Sequence, residues 1–109
     1  MTASGPPLAV IFGCCGPVLG DDERRFFSET DPLGFILFAR NCKNPGQVRR
    51  LAGDLRACVG RSDAPILVDQ EGGRVVRLKP PHWRAPPAPA RFARLARRDP
   101  RRAVRAARL

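Results

Sequence analysis

Three short apolar runs predict three strands in this chain. They lie at residues 7–13, 33–39 and 66–68. Each run is too short for a typical globular helix and is bounded by glycine, proline or charged residues, as buried strands usually are. The first run is apolar throughout, which is typical of a central strand covered on both faces.

The segments between these runs predict two helices. Three acids at residues 21–23 mark the start of the first helix, with Asp21 as its N-cap. The second helix begins at Asn44-Pro45 and ends at Gly60. Its apolar positions fall on one helical face, at Val48, Leu51, Ala52, Leu55 and Val59. An alternation of strands and helices predicts an α/β fold with parallel strands and right-handed crossovers.

The remainder of the chain predicts a loop and helices. Residues 79–90 contain five prolines and are expected to form a proline-rich loop, and residues 91–109 form an arginine-rich helical tail. Asp99-Pro100 is a second helix start, and its helix reaches the end of the sequence without a cap. A (β/α)8 barrel needs roughly 250 residues, so we expect residues 1–109 to be the truncated N-terminal part of a TIM barrel, with about three βα units.

The charge is concentrated in the tail. The chain carries 20 Lys and Arg against 10 Asp and Glu, a net charge of +10, and residues 91–109 contribute +7 of it through eight arginines and Asp99. No nucleic-acid motif accompanies these arginines, so we interpret them as a solvated helical face; nonspecific binding of phosphate backbones is the alternative. No apolar run reaches the roughly 20 residues of a membrane span. We expect neither a nucleic-acid nor a membrane partner.

The four cysteines are expected to be free thiols. Cys14 and Cys15 are adjacent, and Cys42 and Cys58 complete no Cys-x-x-Cys pair, which argues against a disulfide framework or a zinc site. No Lys or Arg precedes Arg24, so the start of the chain lacks the charged region of a signal peptide. We therefore expect a cytoplasmic protein without a metal.

The candidate chemistry follows the third apolar run. The motif Asp69-Gln70-Glu71-Gly72-Gly73-Arg74 stands at its end, and Arg40-Asn41 follows the second run. Polar groups at the carboxyl ends of parallel strands are where α/β proteins bind ligands. Asp69 and Glu71 are too close in sequence to serve as a glycosidase acid and nucleophile, whose carboxyl groups lie ~5–5.5 Å apart across the scissile bond. Glu71 is expected instead to bond its own turn or to pair with Arg74.

These two motifs, with residues 34–38 (Gly-Phe-Ile-Leu-Phe), resemble the N-terminal part of glycoside hydrolase family 3, in its bacterial β-N-acetylhexosaminidase branch. The resemblance implies an enzyme, monomeric at full length, that releases terminal β-linked N-acetylglucosamine from cell-wall-derived glycans by a retaining mechanism. It implies no cofactor and a role in cytoplasmic peptidoglycan recycling. The alternatives are a β-glucosidase-type member of the same family and a non-catalytic basic fragment that binds anionic partners.

The resemblance also implies roles for individual residues. Asp69 would accept hydrogen bonds from hydroxyls of the terminal sugar, and Arg77 would donate to it. The family's catalytic acid/base and nucleophile match no position here, so this chain is expected to be inactive alone. His82 is expected to be a surface or packing residue, and Ser62-Asp63 lies at the wrong end of the third strand for a nucleophile. A weaker role in supporting the pocket falls on Glu71, Gly72, Gly73, Arg74, Arg40 and Asn41.

Overall fold

A computed structural model describes residues 5–108 of the chain. The chain divides between Asp69 and Gln70 into two compact units. The first unit holds a parallel sheet with two helices, and the second holds a turn, a proline-rich loop and two helices. In chain order the elements are β1 (Leu8–Phe12), α1 (Asp21–Thr30), β2 (Pro32–Leu37), a 3₁₀ turn (Ala39–Asn41), α2 (Pro45–Val59), β3 (Ile66–Val68), α3 (Pro89–Arg98) and α4 (Pro100–Arg108).

The sheet confirms the predicted parallel order. Its strands lie in the order β1-β2-β3, and both neighbouring pairs are parallel. The predicted covering of the first strand is wrong, because β1 lies at an edge of the sheet and Leu8 is 51% exposed. The central strand is β2, where Phe35 is fully buried. An apolar run shows that a segment is a strand but not which place it takes in the sheet.

The helix ends follow local capping, with one exception. Asn44 caps α2 by accepting a hydrogen bond from the backbone N–H of Gln47 at 2.9 Å, and Gly60 ends α2 with φ 65°. The predicted N-cap of α1 is wrong, because Gly20 holds that position without a side-chain bond. Asp21 is instead the first helical residue, where its charge favours the positive end of the helix dipole.

The core lies between one face of the sheet and the two helices of the first unit. Phe35 and Leu37 of β2 pack there against Leu51 and Leu55 of α2, and all four are at most 3% exposed. Phe27 of α1 meets the Phe35 ring edge-on, with ring centroids 5.0 Å apart. Burying a side chain of this size stabilises a fold by about 1.5–3 kcal/mol. The predicted apolar face of α2 is therefore the face that holds the unit together.

The second unit confirms the predicted start of the last helix. The Oδ1 atom of Asp99 accepts a hydrogen bond from the backbone N–H of Arg102 at 3.0 Å, and α4 begins at Pro100. The preceding helix, α3, begins at Pro89, inside the segment predicted as loop, because proline suits the first helical position. Within residues 5–108, no helix is long and apolar enough to span a bilayer.

Candidate functional site

Asn41 links the loops that follow β1 and β2. Its side chain is fully buried, and its Oδ1 atom accepts a hydrogen bond from the backbone N–H of Phe38 at 2.8 Å. Its Nδ2 atom donates to the carbonyl oxygens of Cys14 at 3.1 Å and Gly16 at 2.8 Å. The amide thus satisfies three backbone groups from two loops, and it fixes the carboxyl edge of the sheet on the β1–β2 side.

Gln47 makes a second link between the same loops. Its Oε1 atom accepts from the backbone N–H of Lys43 at 2.7 Å, and its Nε2 atom donates to the carbonyl oxygens of Pro17 and Asn41, each at 2.7 Å. The sequence does not single out Gln47, because a polar position in the first turn of a helix looks like an ordinary solvent-facing one. The only sequence feature that points to this role is a polar residue, Gln47, three positions after the capping residue Asn44.

Arg40 also binds the loop after β1. Its Nε atom donates to the carbonyl oxygen of Cys14 at 3.1 Å, and its guanidinium lies over the Phe38 ring, 4.8 Å from the centroid. Within residues 5–108, no ion pair joins Arg40 to an acid. Arg40 and Asn41 therefore both brace this loop, and their predicted support of a sugar pocket remains a prediction.

Cys14 lies inside this network as a buried thiol. Its side chain is 4% exposed, and Asn41 Nδ2 lies 3.3 Å from its sulfur. The pKa of Cys14 is raised to about 11, chiefly by burial and next by the nearby carboxylate of Glu23, while the guanidinium of Arg40 acts in the opposite direction. The thiol is therefore protonated at neutral pH and serves as a packing group rather than a nucleophile. All four cysteines are free, as predicted.

Asp69 follows directly after β3, at the carboxyl edge of the sheet. Asp69 is half-buried. Because the strands of the sheet are parallel, the same edge also carries the loops that follow β1 and β2. Because β3 ends at Val68, strand alternation does not set the direction of the Asp69 or Glu71 side chain. Ser62 and Asp63 are exposed in the turn before β3, at the opposite end of the strand.

Gln70 braces the beginning of the second unit. Its Oε1 atom accepts hydrogen bonds from the backbone N–H groups of Arg77 and Leu78, both at 3.0 Å. Its Nε2 atom donates to the carbonyl oxygen of Leu78 at 2.8 Å. A side chain thus substitutes for a strand partner and closes the segment 70–78. The sequence does not reveal this role of Gln70, since the partners are backbone groups that no sequence pattern marks.

The glycine pair forms a tight turn inside that segment. The backbone N–H of Glu71 donates to the carbonyl oxygen of Val75 at 2.9 Å, and Gly72 and Gly73 have φ angles of 85° and 60°. A Cβ on Gly72 would meet the carbonyl group of Pro87. The glycine pair therefore lets the backbone lie close to the chain's own proline-rich loop, and its predicted support of a sugar pocket stays a prediction.

The acidic and basic side chains of the turn are not paired with each other. Glu71 is exposed, and the part of the chain that the structure describes contains no ion pair between Glu71 and Arg74. The backbone N–H of Glu71 bonds its own turn, whereas the predicted bond of its carboxylate to that turn stays a prediction. Arg77, the second predicted sugar contact, is half-buried and its backbone is held by Gln70.

The second unit also contains a groove and an exposed histidine. A groove of about 490 Å³ lies within it, lined by Glu71, Arg84, Pro86, Pro87, Pro89, Phe92, Ala106 and Ala107. His82 is exposed, with its ring 5.9 Å from that of Trp83, as expected for a surface residue. Between residues 5 and 108, no group of three or more His, Cys, Asp or Glu side chains could hold a metal ion.

The sequence is similar to bacterial β-hexosaminidases. It is 42% identical over 80 residues to the β-hexosaminidase of Methylococcus capsulatus, covering 73% of this chain and 23% of the relative. It is 36% identical over 104 residues to that of Bordetella avium, covering 94% of this chain and 29% of the relative. The chain spans about a quarter of the length of the curated relatives it matches. No family model matches it.

The fold is similar to solved structures of the same kind. NagZ from Neisseria gonorrhoeae in complex with N-trifluoroacetyl-D-glucosamine matches with a TM-score of 0.77 at 28% identity, over 86% of this chain and 28% of that one. A glycoside hydrolase family 3 β-N-acetylglucosaminidase from Paenibacillus matches with a TM-score of 0.64 at 33% identity, over 75% of this chain and 16% of that one. Sequence and backbone thus agree on the group of proteins to which this chain is similar.

Proposed function

We propose that this chain, which matches the N-terminal part of family 3 β-N-acetylhexosaminidases in sequence and fold, provides terminal-sugar contacts in a β-N-acetylglucosaminidase. The observation that carries the proposal is the position of Asp69, a polar residue directly after a parallel strand, at the edge where α/β enzymes bind their substrates. An ionised carboxylate only accepts hydrogen bonds, so it suits the hydroxyl donors of a sugar.

Arg77 is the second proposed sugar contact. A guanidinium provides up to five donors in a rigid plane and complements the ring and acetamido oxygens of N-acetylglucosamine. The three hydrogen bonds of Gln70 to Arg77 and Leu78 hold the backbone of this arginine in place. A fixed backbone reduces the conformational entropy that sugar binding would otherwise cost.

The sheet supports a barrel as the complete fold. Ile11, Ile36 and Leu67 share the face opposite the helices, since Ile36 pairs with Leu67 and Ile11 with Gly34 in the strand register. Leu67 is 45% exposed, and β1 and β3 each pair on one side only within the described sheet. Branched apolar side chains in this arrangement are those that fill the interior of a TIM barrel.

The chemistry would be retaining hydrolysis. A carboxylate outside the matched motifs would attack the anomeric carbon and displace the aglycone, which an acid protonates, and water would then release the sugar. This chain offers Asp69 and Arg77 for binding but neither catalyst, so it would be inactive alone. We place the reaction in the cytoplasm, on N-acetylglucosamine at the end of cell-wall fragments.

The test is an assay of the protein purified from its source cells with an antibody against this chain. We expect it to release chromophore from an N-acetyl-β-glucosaminide and not from a β-glucoside. The reverse preference would favour the β-glucosidase-type alternative. The isolated 109-residue chain should release none, and hydrolysis by it would contradict the assignment of catalysts outside this segment.

The Asp69→Asn variant of the protein from its source cells tests whether Asp69 contacts the sugar. Losing one charge-assisted hydrogen bond costs about 1.5–3 kcal/mol, so kcat/KM should fall roughly tenfold to a hundredfold. Asp63→Asn is the matched control, because Asp63 is exposed at the opposite end of β3. Equal activities of the two variants would show that Asp69 does not contact the substrate.

A further inference from the structure

We propose that α3 and α4 form a nonspecific binding surface for the phosphate backbone of nucleic acid, separate from the sugar site. We call it the arginine surface; it consists of Arg91, Arg94, Arg98, Arg102, Arg105 and Arg108. The sequence alone favoured a solvated face for these residues. The structure adds two observations, on charge and on shape, that support the alternative.

The first observation is that the charge of these helices is not neutralised within the unit. All six arginines of the surface are exposed, as are Arg97 and Arg101 on the same two helices. Among the described residues, none of the eight forms an ion pair. Asp99, the acid of this segment, is committed to capping α4. The field of eight guanidinium groups is therefore available to an external anion.

The second observation is that the arginines line grooves. On α3, Arg91, Arg94 and Arg98 surround a groove of about 300 Å³ together with Leu95. Their spacing places them along one helical face over about 10 Å, from a rise of 1.5 Å per residue. On α4, Arg102, Arg105 and Arg108 line a second groove of about 450 Å³ with Ala106. Each groove can present three guanidinium forks to successive phosphate groups.

The apolar residues favour nucleic acid over a membrane surface. A helix that lies on a bilayer inserts a continuous apolar face. Here α3 packs against α4, Ala103 is buried, and Phe92 and Leu95 are half-buried. Among the described residues of the two helices, Val104 is the only exposed large apolar side chain, at 51%. The surface thus offers guanidinium groups without an apolar face to insert.

The test is fluorescence anisotropy of a labelled random-sequence DNA duplex with the full 109-residue chain across a salt series. Six phosphate contacts predict a slope of log affinity against log salt of about −5, because each contact contributes about −0.9. Arg91→Gln, Arg94→Gln and Arg98→Gln together should reduce the slope by about 3. Replacing the same three arginines by lysine should preserve the slope, because lysine keeps the charge.

The matched control is Arg25→Gln, Arg49→Gln and Arg50→Gln, which removes the same charge from exposed positions on α1 and α2. Its slope should stay close to that of the unchanged chain, and circular dichroism should show equal helix content in all variants. If the two glutamine triple variants lost the same amount of slope, binding would depend only on the net charge of the chain, and the proposal would be overturned. Binding to vesicles of anionic lipid without binding to DNA would also overturn it.

Discussion

Several arginines of the first unit make structural contacts, whereas the arginines of α3 and α4 in the second unit do not. In the first unit, Arg24 pairs with Asp54 at 3.2 Å, Arg56 donates to the carbonyl oxygen of Ala64 at 3.0 Å, and Arg61 donates to that of Pro32 at 2.6 Å. In the second unit, the arginines of α3 and α4 are exposed and form no ion pair within the described chain. Arg24, Arg56 and Arg61 are therefore structural, whereas the arginines of α3 and α4, like the exposed Arg25, Arg49 and Arg50 of the first unit, have no such contact.

The difference follows from which backbone groups need a partner. In the first unit, the connection between α2 and β3 and the start of β2 present the carbonyl oxygens of Ala64, Pro32 and Leu33 to arginine, and one guanidinium can bond several such oxygens at once. In the second unit, one helix ends where the next begins, and the backbone N–H of Asp99 donates to Leu95 while its side chain caps α4. Among the described residues, no ion pair gives the arginines of α3 and α4 such a task. Composition alone does not separate these two uses.

The largest expected effect comes from removing the polar link of the first unit. Asn41→Ala should lower the free energy of unfolding by about 3 kcal/mol, since it removes the buried hydrogen bonds of the amide to the Phe38 N–H and to the carbonyl oxygens of Gly16 and Cys14, of which the Cys14 oxygen keeps its bond from Arg40. Urea unfolding followed by circular dichroism measures this. Asn44→Ala, which removes an exposed helix cap, should cost about 1 kcal/mol. Equal losses would mean that the buried network adds nothing beyond a surface cap.

The buried thiol of Cys14 has a smaller effect on the free energy of unfolding, and this effect depends on pH. Its pKa rises from 9.0 to about 11 on folding, so between these values the unfolded chain releases a proton that the folded chain retains. This contribution to stability is complete below pH 9 and is lost as pH rises toward 11, by about 2 kcal/mol. Cys14→Ser keeps an acceptor beside Asn41 and removes the ionisation.

The measurement for Cys14 is the difference in unfolding free energy between the unchanged chain and the serine variant across that pH range. The difference isolates Cys14 because burial also raises the pKa values of Cys42 and Cys58, which both proteins share. The two stability curves should approach each other as pH rises. Curves that stay parallel would show that Cys14 ionises equally in both states.

The smallest expected effects on stability come from single arginine substitutions, which compare Arg61 of the first unit with Arg101 of the second. Arg61→Gln should cost about 1.5 kcal/mol, because its guanidinium bonds the carbonyl oxygens of Pro32 and Leu33 and the carboxylate of Asp31. Arg101→Gln on α4 should stay within about 0.5 kcal/mol, as exposed substitutions usually do. Thermal unfolding of both variants would show the contrast. A cost for Arg101 equal to that for Arg61 would remove the distinction between the two units.

Sequence predicted the features that neighbouring residues determine. Asn44-Pro45, Gly60 and Asp99-Pro100 each act within one helical turn, so the helix ends they specify could be inferred. The parallel order followed from alternating strands and helices. The edge position of β1 could not be inferred, because an apolar run is compatible with either place in a small sheet.

The candidate site was only partly accessible to sequence for a related reason. The motif identified Asp69 and the glycine turn, since glycine marks positive φ angles. The contacts of Asn41, Gln47 and Gln70 join segments up to 30 residues apart and use backbone partners. Backbone groups carry no residue identity, so no pattern of letters marks them as partners.

The brace formed by Gln70 constrains how the length of this chain can vary. One amide holds two N–H groups and one carbonyl at positions 77 and 78, so the ring it closes has a fixed number of residues. An insertion or deletion within 71–76 would move both partners out of its reach, and the backbone of Arg77 would lose its hold. Changes of length are instead expected in residues 79–88, beyond the ring. Gln70 therefore fixes the number of residues between β3 and Arg77, the second proposed sugar contact.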